Sequence, residues 1–209
     1  RCELSAIEAR PNPAHLACVR LAEQGRLADR VLQTGGDEPA LAYPLEVRAV
    51  DHITVGAWPA AEDALRRAAE VFARIGQPRY WDECTALLAI ADCYRGRYRR
   101  ALAGFAEVAA SARARHDLVS LHWGLTGRAE ALLRLDPDAG QALELLEEGR
   151  MLLPNLPAAE RLRVHAGLGL VHLRGGRDHE AVTAVRAGLA EVARAGMLRM
   201  WLGEALTGL

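Results

Sequence analysis

Apolar residues recur at spacings of three and four along most of the chain, and glycine or proline separates one such segment from the next. The segment that begins at Ala61, for example, continues its apolar positions with Leu65, Ala68 and Phe72. This spacing places one apolar stripe along one face of an α-helix. The pattern therefore predicts a series of amphipathic helices joined by short turns.

Four of these helices begin in the same way, with an alanine close to the preceding turn. The alanines are Ala61, Ala101, Ala142 and Ala181, which are separated by 40, 41 and 39 residues. Two antiparallel helices joined by a short turn approach closely only where their side chains are small, and alanine fits such a position. The regular spacing predicts that one helix pair is repeated four times.

Three of the four units carry a glycine five residues before this alanine, at Gly56, Gly96 and Gly176. Glycine adopts the left-handed backbone conformation without strain, so we expect the first helix of each unit to end there. Trp58 and Tyr98 lie two residues after the first two glycines and are large enough to fill the turn.

The composition agrees with a helical protein and narrows the choice of partners. Of 209 residues, 51% are hydrophobic and only 5% are aromatic. All 26 basic residues are arginine, and 27 acidic residues bring the net charge to -1. A balanced charge gives no overall attraction to nucleic acid or to an anionic membrane. The absence of lysine beside so much alanine, glycine and arginine indicates GC-rich coding, from which we expect a bacterial source. We expect a cytoplasmic protein, because the cysteine spacing favours free thiols and the N-terminal sequence lacks the apolar core of a signal peptide.

The sequence lacks the common patterns of catalytic and metal-binding sites. A phosphate-binding loop of the Walker type requires a lysine, which this chain lacks. His165, His172 and His179 recur every seven residues, but seven residues of helix span about 10.5 Å, too far for one metal ion. The four cysteines form no CxxC pair and are expected to be free thiols. We therefore expect no enzyme activity, no catalytic residue, no metal site and no cofactor.

The second unit carries the residues of a known repeat. Gly96, Tyr98, Ala101 and Phe105 form a Gly-x-Tyr-x-x-Ala pattern with an apolar residue four positions later, and this pattern resembles the tetratricopeptide repeat. Residues 79–117, followed by residues 123–135, are similar to the helical-repeat arms of bacterial class III adenylate/guanylate cyclase-like ATPases and of MalT-like regulators. The resemblance implies an all-α fold, a right-handed α-solenoid of helix-turn-helix units with a period of about 40 residues.

The repeat resemblance also predicts how the chain is divided. We expect an irregular helical N-terminal cap, four helix pairs, and the first helix of a truncated fifth unit. In order, these lie at about 1–40, then 41–76, 81–116, 120–154 and 160–196, and finally 197–209. Because the chain starts at arginine and ends on a half unit, it is expected to be an excised arm of a larger protein.

In tetratricopeptide arrays the first helix of each unit lines the concave inner surface, and this geometry implies where a partner binds. The implied inner-facing positions are Tyr43, Glu46, Val50, Ile53, Glu83, Ile90, Tyr94, Trp123, Thr126, Glu130, Arg134, Arg163, Leu170 and Arg174. Tyr94 and Trp123 are candidate aromatic anchors. Glu130 lies beside a candidate basic ladder of Arg134, Arg163 and Arg174 that would bind carboxylates. The alternative is that Trp123 packs between units and that the arginines form a solvated face.

The resulting functional hypothesis is a non-catalytic interaction and regulatory scaffold that binds a protein or peptide, or another domain of its parent chain. Direct binding of nucleic acid or of a membrane is not expected. One alternative is a sensor arm that binds a small molecule and regulates an attached catalytic or DNA-binding domain. Another is a self-association module that forms a homo-oligomer through Met197, Met200 and Trp201.

Overall fold

The computed structural model describes residues 26, 29–31, 33–34, 38–135 and 140–195. That part of the chain is all-helical and contains no strand, which confirms the all-α class. Its eight bounded α-helices are α1 (Glu38–Thr54), α2 (Trp58–Arg74), α3 (Pro78–Tyr94), α4 (Tyr98–Arg115), α5 (Leu118–Leu135), α6 (Gly140–Leu152), α7 (Ala158–Arg174) and α8 (Asp178–Ala195). A short 3-10 helix, Leu153–Asn155, follows α6. Most of the proposed N-terminal cap and all of residues 197–209 lie outside the described residues.

One type of turn joins many of these helices. Gly56, Gly76, Gly96 and Gly176 all have a positive φ, between 66° and 74°, which confirms the left-handed conformation expected of three of them. The amide after each glycine then donates to a carbonyl five residues back, as Ala57 does to His52 at 2.8 Å. This arrangement satisfies carbonyl groups at the helix end that have no partner within the helix.

The connection between α4 and α5 replaces glycine with two polar residues. His116 adopts the left-handed conformation with a φ of 57°. Asp117 then caps α5, because its carboxylate accepts hydrogen bonds from the amides of Val119 and Ser120 at 3.1 and 3.2 Å. Burial alone would raise the pKa of Asp117, but the hydrogen bonds from Ser120 and the charge of Arg79 hold it below its ordinary value.

Small residues set how closely the helices pack. Ala61, Ala101, Ala142 and Ala181 are all buried, as expected for positions of close helix contact. At Gly124 of α5 the helices approach so closely that no side chain fits, because a Cβ atom there would lie 2.7 Å from the backbone nitrogen of Ala109 in α4. The side chain of Phe105 and its neighbours then fill the space that these small residues leave.

The order of helix contacts follows the order of the chain. Each bounded helix packs on the one that follows it, and α1, α3 and α5 also contact the next odd-numbered helix. The odd-numbered helices therefore lie side by side, and neighbouring members meet at the α1–α3, α3–α5 and α5–α7 junctions. These junctions position the candidate functional residues.

Candidate functional site

A pocket lies at the α5–α7 junction, with α6 beneath it. Its cavity volume is about 40 Å³, and one side of it is open to solvent. Its floor and walls are apolar and are formed by Ala129, Leu133, Leu146, Ala166, Gly167 and Leu170. Its polar rim is formed by Thr126, Glu130, Arg134 and Arg163. The structure thus brings together three residues that the sequence singles out, Glu130, Arg134 and Arg163.

Gly167 determines how the pocket floor is built. A Cβ atom at this position would lie 2.6 Å from the end of the Leu146 side chain. Because Gly167 has no side chain, Leu146 of α6 reaches up between α5 and α7 and forms part of the floor. The apolar surface of the pocket therefore depends on a small residue of α7 and a long residue of α6.

Arg163 is a buried member of the rim. Only 8% of the residue is exposed, and its guanidinium lies 3.0 Å from a carboxylate oxygen of Glu130. The same group lies 6.0 Å from the centre of the Phe105 ring, within the range of a cation–π interaction. The charge of Arg163 is thus balanced by Glu130, so a bound carboxylate would compete with an existing ion pair.

Arg134 differs from Arg163 because it is exposed at the rim. Within the described residues, its guanidinium makes neither an ion pair nor a hydrogen bond with a side chain. An arginine in this state can turn both of its terminal nitrogens toward a carboxylate. Arg134 is therefore the basic group of the pocket that is available to a ligand.

Trp123 lies near the other end of the same junction. Its ring is half-buried, packs against the core, and donates a hydrogen bond from the indole nitrogen to Glu160 of α7 at 2.8 Å. Glu160 is itself buried. The hydrogen bond joins α5 to α7, and Trp123 is absent from the pocket lining.

Tyr94 and Arg174 also lie outside the pocket lining. Tyr94, at the end of α3, stacks on Trp58 of α2 with ring centres 5.4 Å apart. Arg174, at the end of α7, donates a hydrogen bond to the backbone carbonyl of Leu133. That carbonyl belongs to the last turn of α5, where partners within the helix are missing. Both side chains therefore make contacts at helix ends.

His122 is a titratable group at this junction that the sequence does not single out. It is fully buried. Burial, and secondly the positive charge of Arg163, lower the pKa of His122 to about 3. The imidazole is therefore neutral at physiological pH, and it adds no charge to the pocket.

An acidic cluster lies at the α1–α3 junction. Glu46 of α1 is buried beside Glu83 of α3, Tyr43 lies close to both carboxyl groups, and Tyr80 packs edge-on against Tyr43. The sequence places Tyr43, Glu46 and Glu83 on one inner surface but gives no sign that the two carboxyl groups touch. The sequence relates Glu46 and Glu83 only in that each precedes the glycine of a turn, Gly56 and Gly96.

Four arginines surround the carboxylate of Glu62. Arg66, Arg95, Arg97 and Arg100 all lie within 4 Å of Glu62, and two of them also reach Asp92. Burial alone would raise the pKa of Glu62, but Arg100, Arg66 and Arg95 lower it. Each of the four guanidinium groups therefore already has a carboxylate partner, which distinguishes this cluster from the exposed Arg134.

The residues that the structure describes contain no group of three or more histidine, cysteine or acidic side chains arranged to hold a metal ion. Cys84 is a buried free thiol, and burial raises its pKa. None of the helices in this part of the chain combines the length and the apolarity needed to cross a bilayer. The positions proposed for self-association, Met197, Met200 and Trp201, lie outside the described residues.

No protein-family model matches the chain, and no curated protein matches it significantly.

Proposed function

We propose that the chain is a right-handed, tetratricopeptide-like α-solenoid with a repeat of about 40 residues. Two features support this proposal. The turns that follow α1, α3 and α7 share one glycine conformation and one hydrogen-bonding pattern. The odd-numbered helices contact each other in chain order, and contact with immediate neighbours alone is typical of a solenoid.

In this proposal the protein is a non-catalytic interaction and regulatory arm, and it belongs to a larger bacterial cytoplasmic signalling protein or ATPase. It binds an extended peptide of a partner or of its own parent chain. The observation that carries this function is the exposed Arg134 beside an apolar pocket between two adjacent odd-numbered helices. An open pocket of this kind suits a side chain of a peptide that continues along the neighbouring helices.

The chemistry of the pocket specifies the peptide. An aliphatic side chain would occupy the space above Leu133, Leu146 and Leu170. A carboxylate, either an acidic side chain or the end of the peptide, would bind Arg134. Arg163 and Arg174 have lesser roles than a three-arginine ladder would give them, since Glu130 and the Leu133 carbonyl already engage them.

Two short peptides that differ in one group test this function. One is acetyl-Ala-Ala-Leu with a free carboxylate, and the other is its amide. We expect the acid to bind at least about fivefold more tightly in a titration followed by NMR, because only the acid can pair with Arg134. Arg134→Ala should remove that difference.

The matched control is Arg186→Ala, which removes an exposed arginine of α8 and changes the net charge by the same amount. It should leave the preference for the acid intact. Equal binding of the two peptides by the unaltered chain would contradict the proposal, and so would an equal effect of the two substitutions.

A further inference from the structure

Two tyrosines form a corner at the α1–α3 junction. Tyr43 of α1 and Tyr80 of α3 have ring centres 6.3 Å apart, with their planes at 84° to each other. Phe72 of α2 stacks on Tyr80 at 5.0 Å and holds that ring in place. Tyr43 is 56% exposed and Tyr80 is 36% exposed. The corner therefore presents aromatic surface to solvent.

Two carboxyl groups lie against this corner. Glu46 is only 6% exposed, and its side chain hydrogen-bonds to that of Glu83. Two carboxyl groups in direct contact cannot both ionise readily, so they share a proton. Burial, and secondly the charge and hydrogen bond of Glu83, raise the pKa of Glu46 to about 8.

One oxygen of this pair has no donor. Glu46 Oε2 is buried and makes no hydrogen bond within the part of the chain that the structure describes. A buried acceptor without a partner destabilises the protein. A ligand that brings a hydrogen-bond donor and a positive charge would satisfy this oxygen and neutralise the pair.

We propose that Tyr43, Glu46, Tyr80 and Glu83 form a binding site for an arginine side chain of a partner peptide. The planar guanidinium carries five N–H donors and stacks on aromatic rings, so it matches two carboxyl groups beside a tyrosine corner better than the compact ammonium of lysine does. Glu83, which is half-buried, is the group that an incoming guanidinium meets first.

Binding at this site is coupled to the loss of a proton. The bound guanidinium favours the ionised form of Glu46, whose proton passes to the buffer. The groups that face Glu46 are Glu83, Tyr43 and the buried thiol of Cys84, all of which resist a second negative charge. Among the described residues, α2 contributes Phe72 beneath Tyr80 and no charged group to this set. Affinity should therefore increase with pH until Glu46 is ionised without the ligand, near pH 8.

The probe is the peptide acetyl-Gly-Arg-Gly-amide, titrated into the full chain and followed by NMR. Its control is the same peptide with citrulline, which has nearly the same shape and no charge. We expect the arginine peptide to shift resonances of α1 and α3 and to bind at least about fivefold more tightly at pH 8.5 than at pH 6.5. The citrulline peptide should bind weakly at both values.

Three variants locate the effect, and circular dichroism checks that each is folded. Glu83→Gln should weaken arginine binding at least about fivefold, whereas Glu107→Gln, on the exposed face of α4, should not. Tyr43→Leu should weaken it about threefold by removing one ring. Glu46→Gln should leave arginine binding that no longer changes with pH.

The outcomes are independent of those for the α5–α7 pocket, which contains none of these residues. Equal binding of the arginine and citrulline peptides would overturn the proposal. So would an equal effect of Glu83→Gln and Glu107→Gln, since that would reveal a general response to charge.

Discussion

The α1–α3 and α5–α7 junctions are both contacts between alternate helices, but they carry opposite charges at the same distance from a turn glycine. Glu83 and Arg163 each lie 13 residues before the glycine that ends the following turn, Gly96 and Gly176. At the α1–α3 junction the residue is acidic and meets another acid, Glu46. At the α5–α7 junction it is basic and meets an acid, Glu130.

This single difference changes what each junction does. At the α5–α7 junction the charge of Arg163 is balanced by an ion pair. The exposed Arg134 is therefore the group at this junction that we expect to bind an anion. Two acids in contact repel each other when both are ionised, so the α1–α3 junction takes up a proton, and a bound cation would relieve the same repulsion. One backbone arrangement thus supports sites of opposite preference, and its ligand is chosen by a few side chains.

The largest expected effect comes from breaking the balanced junction. Arg163→Met should lower the free energy of unfolding by about 3 kcal/mol, because it leaves Glu130 without its buried partner and removes the contact with Phe105. Urea denaturation measures the change. Arg150→Met, which removes an exposed ion pair with Glu147, should change stability by less than about 1 kcal/mol. Similar losses in both variants would contradict a structural role for Arg163.

A somewhat smaller effect should appear when pH changes the unbalanced junction. A carboxyl group whose pKa is raised from 4.5 to about 8 by folding holds a proton that the unfolded chain has released. The contribution of Glu46 to stability is therefore largest below pH 4.5, and it is lost as pH rises from 4.5 through 8. We expect a loss on the order of 2 kcal/mol between pH 6.5 and 8.5, and a much flatter profile in Glu46→Gln. The same slope in both proteins would show that another group is responsible.

The repeated helices and turns were predictable from sequence because their causes are local. Ala61 and its counterparts at the other close contacts follow from the size of one side chain, and the positive φ of Gly56 follows from the absence of a Cβ atom. The turn before α5 was harder to predict, since His116 and Asp117 replace glycine by a left-handed histidine and a capping carboxylate.

The pairing of charges was not predictable, because it depends on how adjacent odd-numbered helices face each other. The tetratricopeptide resemblance places Glu46, Glu83 and Arg163 on one inner surface, but it does not indicate which charged side chains are in contact. Which of them are buried, and which touch, depends on distances between helices that are far apart in sequence. A hydrophobic pattern fixes the buried face of a helix but not the partner of a charged residue on its edge.

The balanced junction should respond to acid in the opposite sense. Folding lowers the pKa of His122 from 6.5 to about 3, so the unfolded chain binds a proton that the folded chain excludes. Stability is then lost as pH falls below 6.5. Between pH 4.5 and 6.5 the opposite effect of Glu46 offsets this loss, so the test is made in the Glu46→Gln background.

In that background we expect stability to fall by about 1.5 kcal/mol from pH 6.5 to pH 5. Adding His122→Phe, which keeps a ring but cannot titrate, should remove most of the fall. Thermal unfolding at several pH values measures both profiles. If the double variant keeps the same acid dependence as Glu46→Gln alone, the buried imidazole is not its source.

The smallest effect in stability gives the most direct test of the comparison, because it converts one junction into the other. Glu83→Arg places at the α1–α3 junction the residue type that occupies the same repeat position at the α5–α7 junction. A guanidinium beside Glu46 should lower the pKa of that carboxyl and supply the donor that Glu46 Oε2 lacks. We expect a gain of about 1 kcal/mol in stability at pH 8, measured by urea denaturation, and a flat profile between pH 5.5 and 8.5. The variant should also lose binding of the arginine peptide, since its own arginine now fills the site. A variant that keeps the pH slope of the unaltered chain would show that the charge at this position does not determine the behaviour of the junction.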